Sequence, residues 1–197
     1  SAQMSIPHPN NFTVIAFFYQ PTANGGGPVF NTIFAETDGN NEPAQNNYLH
    51  QLYLSVESGG RPHAYWRNNA NGYNDNYPGA ASTPLQNVGM HMVAWEFDIY
   101  YGLVVKAYVD GALWGTTSVG QQVVDNYRSG IDSQYSCHQH ALINCGHPLS
   151  GFPHHGQVLR SGIIVTDIAT YQGCIGATAI AEIYDAWVLA TGNDSHV

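Results

Sequence analysis

Short segments with a period of two residues recur from one end of the chain to the other, separated by clusters of Gly, Pro and Asn. Alternating apolar and polar residues are typical of strands with one buried face, and Gly, Pro and Asn favour turns. The pattern predicts strands at Phe12–Gln20, Pro28–Glu36, Tyr48–Glu57, His63–Arg67, His91–Asp98, Leu103–Val109, Ala112–Ser118, Gln157–Thr166 and Ala179–Leu189. No stretch longer than about ten residues keeps an apolar period of 3.6, so helices of one or two turns at most are expected. The sequence therefore predicts an all-β antiparallel sandwich or barrel.

The segment His91–Ser118 carries the clearest strand pattern. The residues expected to face the core are Val93, Trp95 and Phe97 in its first strand and Leu103, Val105, Ala107 and Val109 in its second. Glu96 and Lys106 lie on the other face, near enough for a charge pair across the two strands. Asp110-Gly111 follows and is typical of a type I′ turn, because both central positions of that turn need positive φ. The segment predicts a three-stranded meander with one buried face and one face exposed to water.

Several segments carry a family resemblance. His91–Asp98 reads HMVAWEFD, and Val105–Thr116 reads VKAYVDGALWGT. They resemble the central hairpins of laminin-G-like domains, whose pattern runs WHHVAVTFD … VKLYVDGxLVGT. Segments similar to the opening strand, the LYLDSGG strand and the closing strand of that family lie in the same order, at Phe12–Phe18, Tyr53–Gly60 and Ala181–Leu189. Gly89-Met90 depart from the pattern, since the family often has Gln or Trp there.

The resemblance implies a fold rather than a function. Laminin-G-like domains belong to the concanavalin-A-like jelly rolls, which are sandwiches of two antiparallel sheets. One such β-sandwich domain would cover residues 1–197, with a Cys- and His-rich insertion at residues 129–156. The fold hosts lectins, glucanases, adhesion modules and virion proteins, so individual residues must decide among these functions.

The charge balance excludes several kinds of partner. Lys and Arg number 5 against 14 Asp and Glu, for a formal net charge of −9. This balance argues against nucleic-acid binding, which needs a cationic face, and against docking on anionic lipid. No run approaches the roughly 18 apolar residues of a membrane-spanning helix, and Ser1–Met4 lacks the features of a signal peptide. Three cysteines, Cys137, Cys145 and Cys174, leave at least one thiol unpaired, unlike a disulfide-built secreted domain.

The two carboxylates of Glu96-Phe97-Asp98 bear on the question of catalysis. β-Glucanases of this superfamily carry E-x-D-x-(x)-E at this place, because retaining hydrolysis needs two carboxylates about 5–5.5 Å apart, one as nucleophile and one as acid/base. Tyr100 or Tyr101 occupies the third position here, so the acid/base is missing. The sequence predicts that the chain is not an enzyme, with a glycoside hydrolase as the minor alternative.

Two other segments contain groups that suit a metal ion. Zinc prefers sulfur and nitrogen donors, and the candidates are Cys137, His138, His140, Cys145 and His147. Cys137 and Cys145 could instead form a disulfide, or these residues could be polar loop residues with neither role. Calcium prefers oxygen donors in a turn, and the candidates are Asp38, Asn40 and Glu42. Plain turns have the same composition, so neither calcium nor zinc is required.

Aromatic and amide residues gather between residues 66 and 77. Sugars are bound by flat aromatic faces flanked by hydrogen-bonding amides and carboxylates. The candidates for contact with carbohydrate or a protein partner are Trp66, Asn69, Tyr73, Asn74, Asp75 and Tyr77, together with Tyr100 and Tyr101 at an expected hairpin tip. The alternative for Trp66 is a place in the core, and for the tyrosines a role in covering a sheet edge.

Two function classes remain for a non-catalytic module with few charges. The first is a virion-surface protein, either a capsid decoration or a fibre-type module, that forms a homo-oligomer and contacts protein or glycans. The second is a secreted lectin, with or without calcium, in which the sequons Asn11-Phe12-Thr13 and Asn193-Asp194-Ser195 would be glycosylation acceptors. The unpaired thiol and the lack of a signal peptide favour the first class. The expected location is a virion or the extracellular surface.

Overall fold

The computed structural model describes residues 11–21, 27–37, 43–57, 61–67, 73–76, 87–98, 104–118, 138–143 and 163–192. Within these ranges the chain forms strands and one helix. The elements are β1 (Phe12–Gln20), β2 (Gly27–Thr37), β3 (Pro43–Glu57), β4 (Arg61–Arg67), β5 (Tyr73–Asn76), β6 (Gly89–Asp98), β7 (Val104–Val109), β8 (Ala112–Ser118), β9 (His138–Ile143), β10 (Ile164–Gln172) and α1 (Gly176–Thr191). In these ranges we find no helix with the length and apolar character needed to cross a membrane.

The strands form two antiparallel sheets of five strands each. Sheet I has the order β10-β1-β6-β7-β8, and sheet II has the order β5-β4-β3-β2-β9. Strand β1 pairs with β6 along its whole length, from Phe12 opposite Phe97 to Gln20 opposite Gly89. This architecture confirms the predicted all-β sandwich of two antiparallel sheets.

The core of the sandwich lies between the two sheets. Sheet I contributes Phe12, Val14, Ala16, Phe18, Val93, Trp95, Phe97, Val105, Ala107 and Val109, and sheet II contributes Leu54, Val56 and Ala64. Trp95 is fully buried at 0 % exposure. Full burial of one Leu or Phe side chain is worth about 1.5–3 kcal/mol, so this layer supplies the main force that holds the sheets together.

The meander β6-β7-β8 agrees with its prediction in its inward residues, its charge pair and its turn. The predicted inward residues that the structure describes are all buried. Glu96 lies opposite Lys106, with Lys106 Nζ 3.0 Å from Glu96 Oε1. Asp110 and Gly111 have φ values of 49° and 78°, the two positive values that a type I′ turn requires. Local sequence is sufficient here because each strand pairs with its neighbour in the chain.

The segment predicted as the closing strand is a helix. α1 has 16 residues, so the predicted strand Ala179–Leu189, the resemblance of Ala181–Leu189 to a closing strand and the limit of two helical turns are all wrong. The physical reason is an apolar stripe at helical spacing. Its members are Ile180, Ile183, Tyr184, Trp187 and Val188. The helix ends at Gly192, whose φ of 67° lets its N–H donate a hydrogen bond to Val188 O at 2.8 Å.

The helix covers the outer face of sheet I, so the prediction that this face is exposed to water is wrong. Sheet I contributes Ile15, Phe17, Met92, Ala94 and Tyr108 to a second apolar cluster, and α1 contributes Ile180 and Tyr184. Glu96 lies on the same face and is 1 % exposed. The turn before β8 also meets the helix, since a Cβ on Gly111 would lie 3.1 Å from Tyr184 Cδ1. Periodicity reports the character of a face but not what packs against it.

Three edge strands differ from the sequence prediction. β10 covers Ile164–Gln172, whereas the predicted strand Gln157–Thr166 begins and ends earlier. β5 lies in the Asn-rich segment Asn68–Ala81 and β9 in the Cys- and His-rich segment 129–156. The sequence predicts no strand in either segment and favours a loop in each, because of their Asn, Gly, Cys and His content. Each of these strands lies at the end of its sheet. Its hydrogen bonds come from a partner strand, so its own residues carry little signal.

Candidate functional site

The face of sheet II that points away from sheet I follows from the strand register. Leu54 and Ala64 are directly opposite each other and belong to the core. Successive residues of a strand alternate between the two faces, and directly opposite residues of an antiparallel pair share a face. Tyr53 and Tyr65, which precede and follow these core residues and are opposite each other, therefore occupy the outer face.

Two neighbouring rows of residues cross all five strands of this outer face. The first row is Asp75, Tyr65, Tyr53, Asn31 and Leu142, and the second is Tyr73, Arg67, Gln51, Ile33 and His140. We call these ten positions the outer rows. With strands about 4.8 Å apart and a rise of about 3.3 Å per residue, the rows span roughly 19 Å by 7 Å. Aromatic, amide-bearing, acidic and arginine residues all hold register positions in this area.

The outer face of β4 contains one buried residue and two arginines, and carboxylates share this face at Asp75 and at Glu57, which is directly opposite Arg61. His63, on the same face of β4 as Tyr65, is 3 % exposed, so the face is covered there, whereas Arg61 is partly exposed. Arg61 and Arg67 are two of the 5 Lys and Arg residues of the chain. Because both have odd positions on β4, both lie on this face. A chain with a net charge of −9 thus has two of its few cations on one side of one strand.

The structure divides the predicted contact residues between the two faces of sheet II. Trp66 and Asn74 are directly opposite each other, at register positions on the core side with Ala64. Tyr73 and Asp75 belong to the outer rows. The remaining candidates, Asn69, Tyr77, Tyr100 and Tyr101, lie outside the described residues.

Sequence reasoning missed several members of the outer rows. Tyr53, Tyr65, Arg67 and Gln51 lie in strands that the sequence predicts, at the positions that alternate with apolar residues. Their alternation with Leu54 and Ala64 is the signal that could have found them. These residues come together only because their strands are neighbours in the sheet. Alternation along a single strand shows which residues share a face, but it does not show which strands pair.

The metal and disulfide candidates lie mostly outside the described residues. His138 and His140 are in β9, opposite Ala35 and Ile33. Cys137, Cys145 and His147 are outside, with the predicted disulfide, and so are Asp38, Asn40 and Glu42. The described ranges contain no group of three or more His, Cys, Asp or Glu residues arranged to hold a metal ion. Zinc, calcium and the disulfide stay predictions.

Glu96 ties the start of α1 to sheet I. Its Oε2 accepts a hydrogen bond from Gly176 N–H at 2.7 Å, and its Oε1 accepts from Lys106 Nζ at 3.0 Å and from the Tyr108 hydroxyl at 3.5 Å. The hydrogen bond to Glu96 raises the pKa of Lys106, while burial and the charge of Glu96 raise the pKa of Tyr108. The negative charge of the Glu96 carboxylate also interacts favourably with the positive end of the α1 dipole, which lies at the N-terminus of the helix.

Asp98, the second carboxylate of the E-x-D pattern, is also engaged in the fold. It accepts a hydrogen bond from Asn11 Nδ2 at 2.9 Å. Thr13 is fully buried, and its hydroxyl donates to Gly173 O at 2.9 Å. The first sequon therefore has both of its polar side chains bonded within the fold. The second sequon, at residues 193–195, lies outside the described residues.

Cys174 is a free thiol beside the same cluster. The residue as a whole is exposed, but its Sγ lies 3.5 Å from Phe97 O, so the sulfur itself is turned toward the protein. Burial, followed by the charges of Glu96 and Asp98, raises the pKa of the thiol to about 12. The thiolate is the reactive form of cysteine, so the raised pKa disfavours that form of Cys174 at neutral pH.

Solved structures share the fold of the chain, whereas no protein-family model and no curated protein sequence matches it. The IT-sialidase CBM40 of Ruminococcus gnavus bound to α2,3-sialyllactose has a TM-score of 0.55 at 14% identity, over 89% of this chain and 83% of that one. The native heptameric SAP-like pentraxin of Limulus polyphemus has a TM-score of 0.50 at 16% identity, over 89% of this chain and 70% of that one.

A third similar structure is much longer than this chain. The leech intramolecular trans-sialidase complexed with 2,7-anhydro-Neu5Ac has a TM-score of 0.55 at 16% identity, over 88% of this chain but 23% of that one. At such identities the similarity concerns the fold and not the function. The two five-stranded antiparallel sheets and these similarities agree with the family resemblance of the sequence. The chain has a jelly-roll fold of the concanavalin-A-like type.

Proposed function

We propose that this chain is a non-catalytic carbohydrate-binding module whose ligand lies across the outer rows of sheet II. The observation that carries the proposal is the register that aligns Tyr53, Tyr65, Tyr73 and Asp75 with Arg67 and Gln51 on one face. Tyrosine rings offer flat apolar surface to the C–H groups of a sugar, and the amide, carboxylate and guanidinium groups offer directional hydrogen bonds to its hydroxyls. Binding sites combine these two elements, apolar area and a few placed polar groups.

Acidic glycans are the ligand class to test first. The Ruminococcus gnavus neighbour is bound to α2,3-sialyllactose, and Arg67 supplies a guanidinium that pairs with a carboxylate through two hydrogen bonds. The net charge of −9 repels anions from the chain as a whole, so an acidic sugar requires a local cation of this kind.

The position of Glu96 supports a module without catalysis. A retaining glycosidase needs its nucleophile in contact with the sugar, and the Glu96 carboxylate is 1 % exposed with both oxygens bonded to groups of the fold. It lies between sheet I and α1, on the opposite side of the sandwich from the outer rows.

A structural role on a virion or another assembly is the second candidate. The observation that favours it is apolar exposure on the end strands of sheet I, where Leu113 of β8 is 56% exposed and Ile164 of β10 is 54% exposed. Strands at a sheet end offer backbone groups for pairing with another chain. Light scattering on the purified protein tests this candidate, which predicts a discrete oligomer.

The test of sugar binding is calorimetric titration with α2,3-sialyllactose, followed by a glycan array. We expect Tyr65→Ala and Tyr73→Ala each to weaken binding at least about tenfold, equivalent to about 1.4 kcal/mol, because each removes one stacking surface. Tyr19→Ala is the matched control, since Tyr19 is 38 % exposed on sheet I. Repetition in EDTA tests the calcium prediction for Asp38, Asn40 and Glu42.

Two outcomes contradict the proposal. The first is a folded protein that binds no glycan on the array, a result that would favour the structural role in an assembly over sugar binding. The second is a sugar whose affinity is unchanged in both Tyr65→Ala and Tyr73→Ala, which would place the ligand away from the outer rows.

A further inference from the structure

His91 is a buried histidine with a hydrogen bond at each ring nitrogen. It is 1 % exposed. Its Nδ1 lies 2.9 Å from Asp110 Oδ2, and its Nε2 lies 3.0 Å from Asn87 O. A carboxylate and a backbone carbonyl both accept hydrogen bonds and donate none. Both bonds exist together only when both ring nitrogens carry a proton, which is the imidazolium form.

The histidine connects three parts of the chain at this end of sheet I. His91 belongs to β6, Asp110 to the turn between β7 and β8, and Asn87 to the segment that leads into β6. The turn is also held by the backbone, because Asp110 N–H donates to Met92 O at 2.9 Å and Asp110 Oδ1 accepts from Met92 N–H at 2.9 Å. Gly111, the next residue of the turn, packs against α1.

We propose that His91 and Asp110 form a proton-dependent clamp, in which the protonated imidazole holds Asn87 to the β7–β8 turn and the neutral imidazole releases it. A neutral imidazole has one N–H. The carboxylate is the stronger acceptor, so the proton stays on Nδ1. The lone pair of Nε2 would then face the lone pairs of Asn87 O at 3.0 Å, and this repulsion separates the two groups. The proposal does not depend on sugar binding.

The groups that surround His91 agree with this assignment. Asp110, from the β7–β8 turn, is the charged group that acts on it, while Phe18 of β1 presents an uncharged ring at a centroid distance of 5.8 Å. Burial by itself lowers the pKa of His91. The hydrogen bond and charge of Asp110, with the bond to Asn87 O, outweigh it and raise the pKa above the ordinary 6.5.

The direction of the pH effect follows from that shift. A histidine whose folded pKa lies above its unfolded value stabilises the fold fully below the unfolded pKa. The stabilisation is lost as the pH rises through the folded pKa. The clamp is therefore closed in mildly acidic solution and opens as the pH rises through the raised pKa of His91.

The first experiment measures protonation in the unmodified protein. Nitrogen-15 NMR of the histidine rings, with His91 assigned by the signals lost in His91→Gln, reports whether each ring nitrogen carries a proton. At pH 6 we expect two N–H groups on His91 and, above its pKa, one N–H on Nδ1. A single N–H at pH 6, or a proton that remains on Nε2 at high pH, overturns the proposal.

The second experiment measures the consequence for the fold. Urea denaturation at pH 6 and pH 9 gives the unfolding constant at each pH, and we divide the value at pH 9 by the value at pH 6. In the unmodified protein this ratio includes the stabilisation that is lost when His91 is deprotonated. We expect the ratio to be at least about threefold smaller in His91→Gln. The milder Asp110→Asn serves if His91→Gln fails to fold. His63→Gln is the matched control, since His63 is 3 % exposed on the other sheet. An unchanged ratio in both clamp variants contradicts the clamp.

Discussion

Single residues in this chain acquire their roles from what surrounds them, and Glu96 is the example. By sequence it belongs to an E-x-D pattern, and by position it is a carboxylate at the start of α1 with Lys106 and Tyr108 as further partners. Removing one partner of a buried charge pair costs more than the pair contributes, because the other partner keeps its desolvation penalty. Lys106 is 35% exposed on its side chain, which reduces that penalty.

We expect Glu96→Gln to lower the free energy of unfolding by about 1–3 kcal/mol. The amide keeps the shape of the carboxylate but loses the charge that attracts Lys106 and the Gly176 N–H. Urea denaturation measures the change, and Glu182→Gln, on the exposed side of α1, is the control expected within about 0.5 kcal/mol of the unmodified protein. Equal effects of the two substitutions would show that the buried contacts contribute nothing.

At the scale of elements, α1 is the feature that changes the expected structure most. Its stripe of apolar residues covers one face of sheet I, and Ile180, the first residue of the stripe, is 0% exposed. The opposite side of the helix includes Leu189, which is 87% exposed. Helices of this length depend on such packing more than on intrinsic propensity.

Ile180→Ala should lower the free energy of unfolding by about 2–5 kcal/mol, because it removes buried contacts and leaves a cavity against sheet I. Leu189→Ala removes a side chain of similar size from water and should change stability by less than about 0.5 kcal/mol. Thermal and urea denaturation followed by circular dichroism compare the two. A helix that was not docked on the sheet would respond equally to both substitutions.

At the scale of the whole molecule, the two faces of sheet II have different roles: one packs in the core, and the other is the face proposed to bind the ligand. One face joins the core through Leu54, Val56 and Ala64, and the other carries the outer rows. Trp66 tests this separation, because its register position is on the core side although it is next to Tyr65 and Arg67 in sequence.

Trp66→Ala should lower the midpoint of thermal unfolding and leave sugar affinity within about twofold at temperatures where the variant is folded. The physical reason is that neighbouring residues of a strand lie on opposite faces. Calorimetric titration and thermal denaturation of the same preparation measure both quantities. A loss of affinity with unchanged stability would assign Trp66 to the ligand.

How much the sequence predicts depends on how local the cause is. β1 and β8 have the bounds that alternation predicts, and the turn at Asp110 and Gly111 has its expected backbone, since both features depend on adjacent residues. The strand predicted at Ala179–Leu189 was wrong because Ile, Tyr, Trp and Val favour strands in general. Their spacing of three and four residues was the better guide.

The sequence by itself determined which residues of β6 and β7 face the core, the hairpin between β7 and β8, and a charge balance that argues against nucleic-acid binding. Alternation, turn geometry and net charge depend on residues close together in the chain or on simple composition. Only the tertiary structure decided that α1 covers Glu96, that His91 meets Asn87 and Asp110, and that five strands align Asp75 with Leu142 in one row. These features depend on pairing between distant segments, and the energy of pairing is shared by both partners, so neither segment carries it alone.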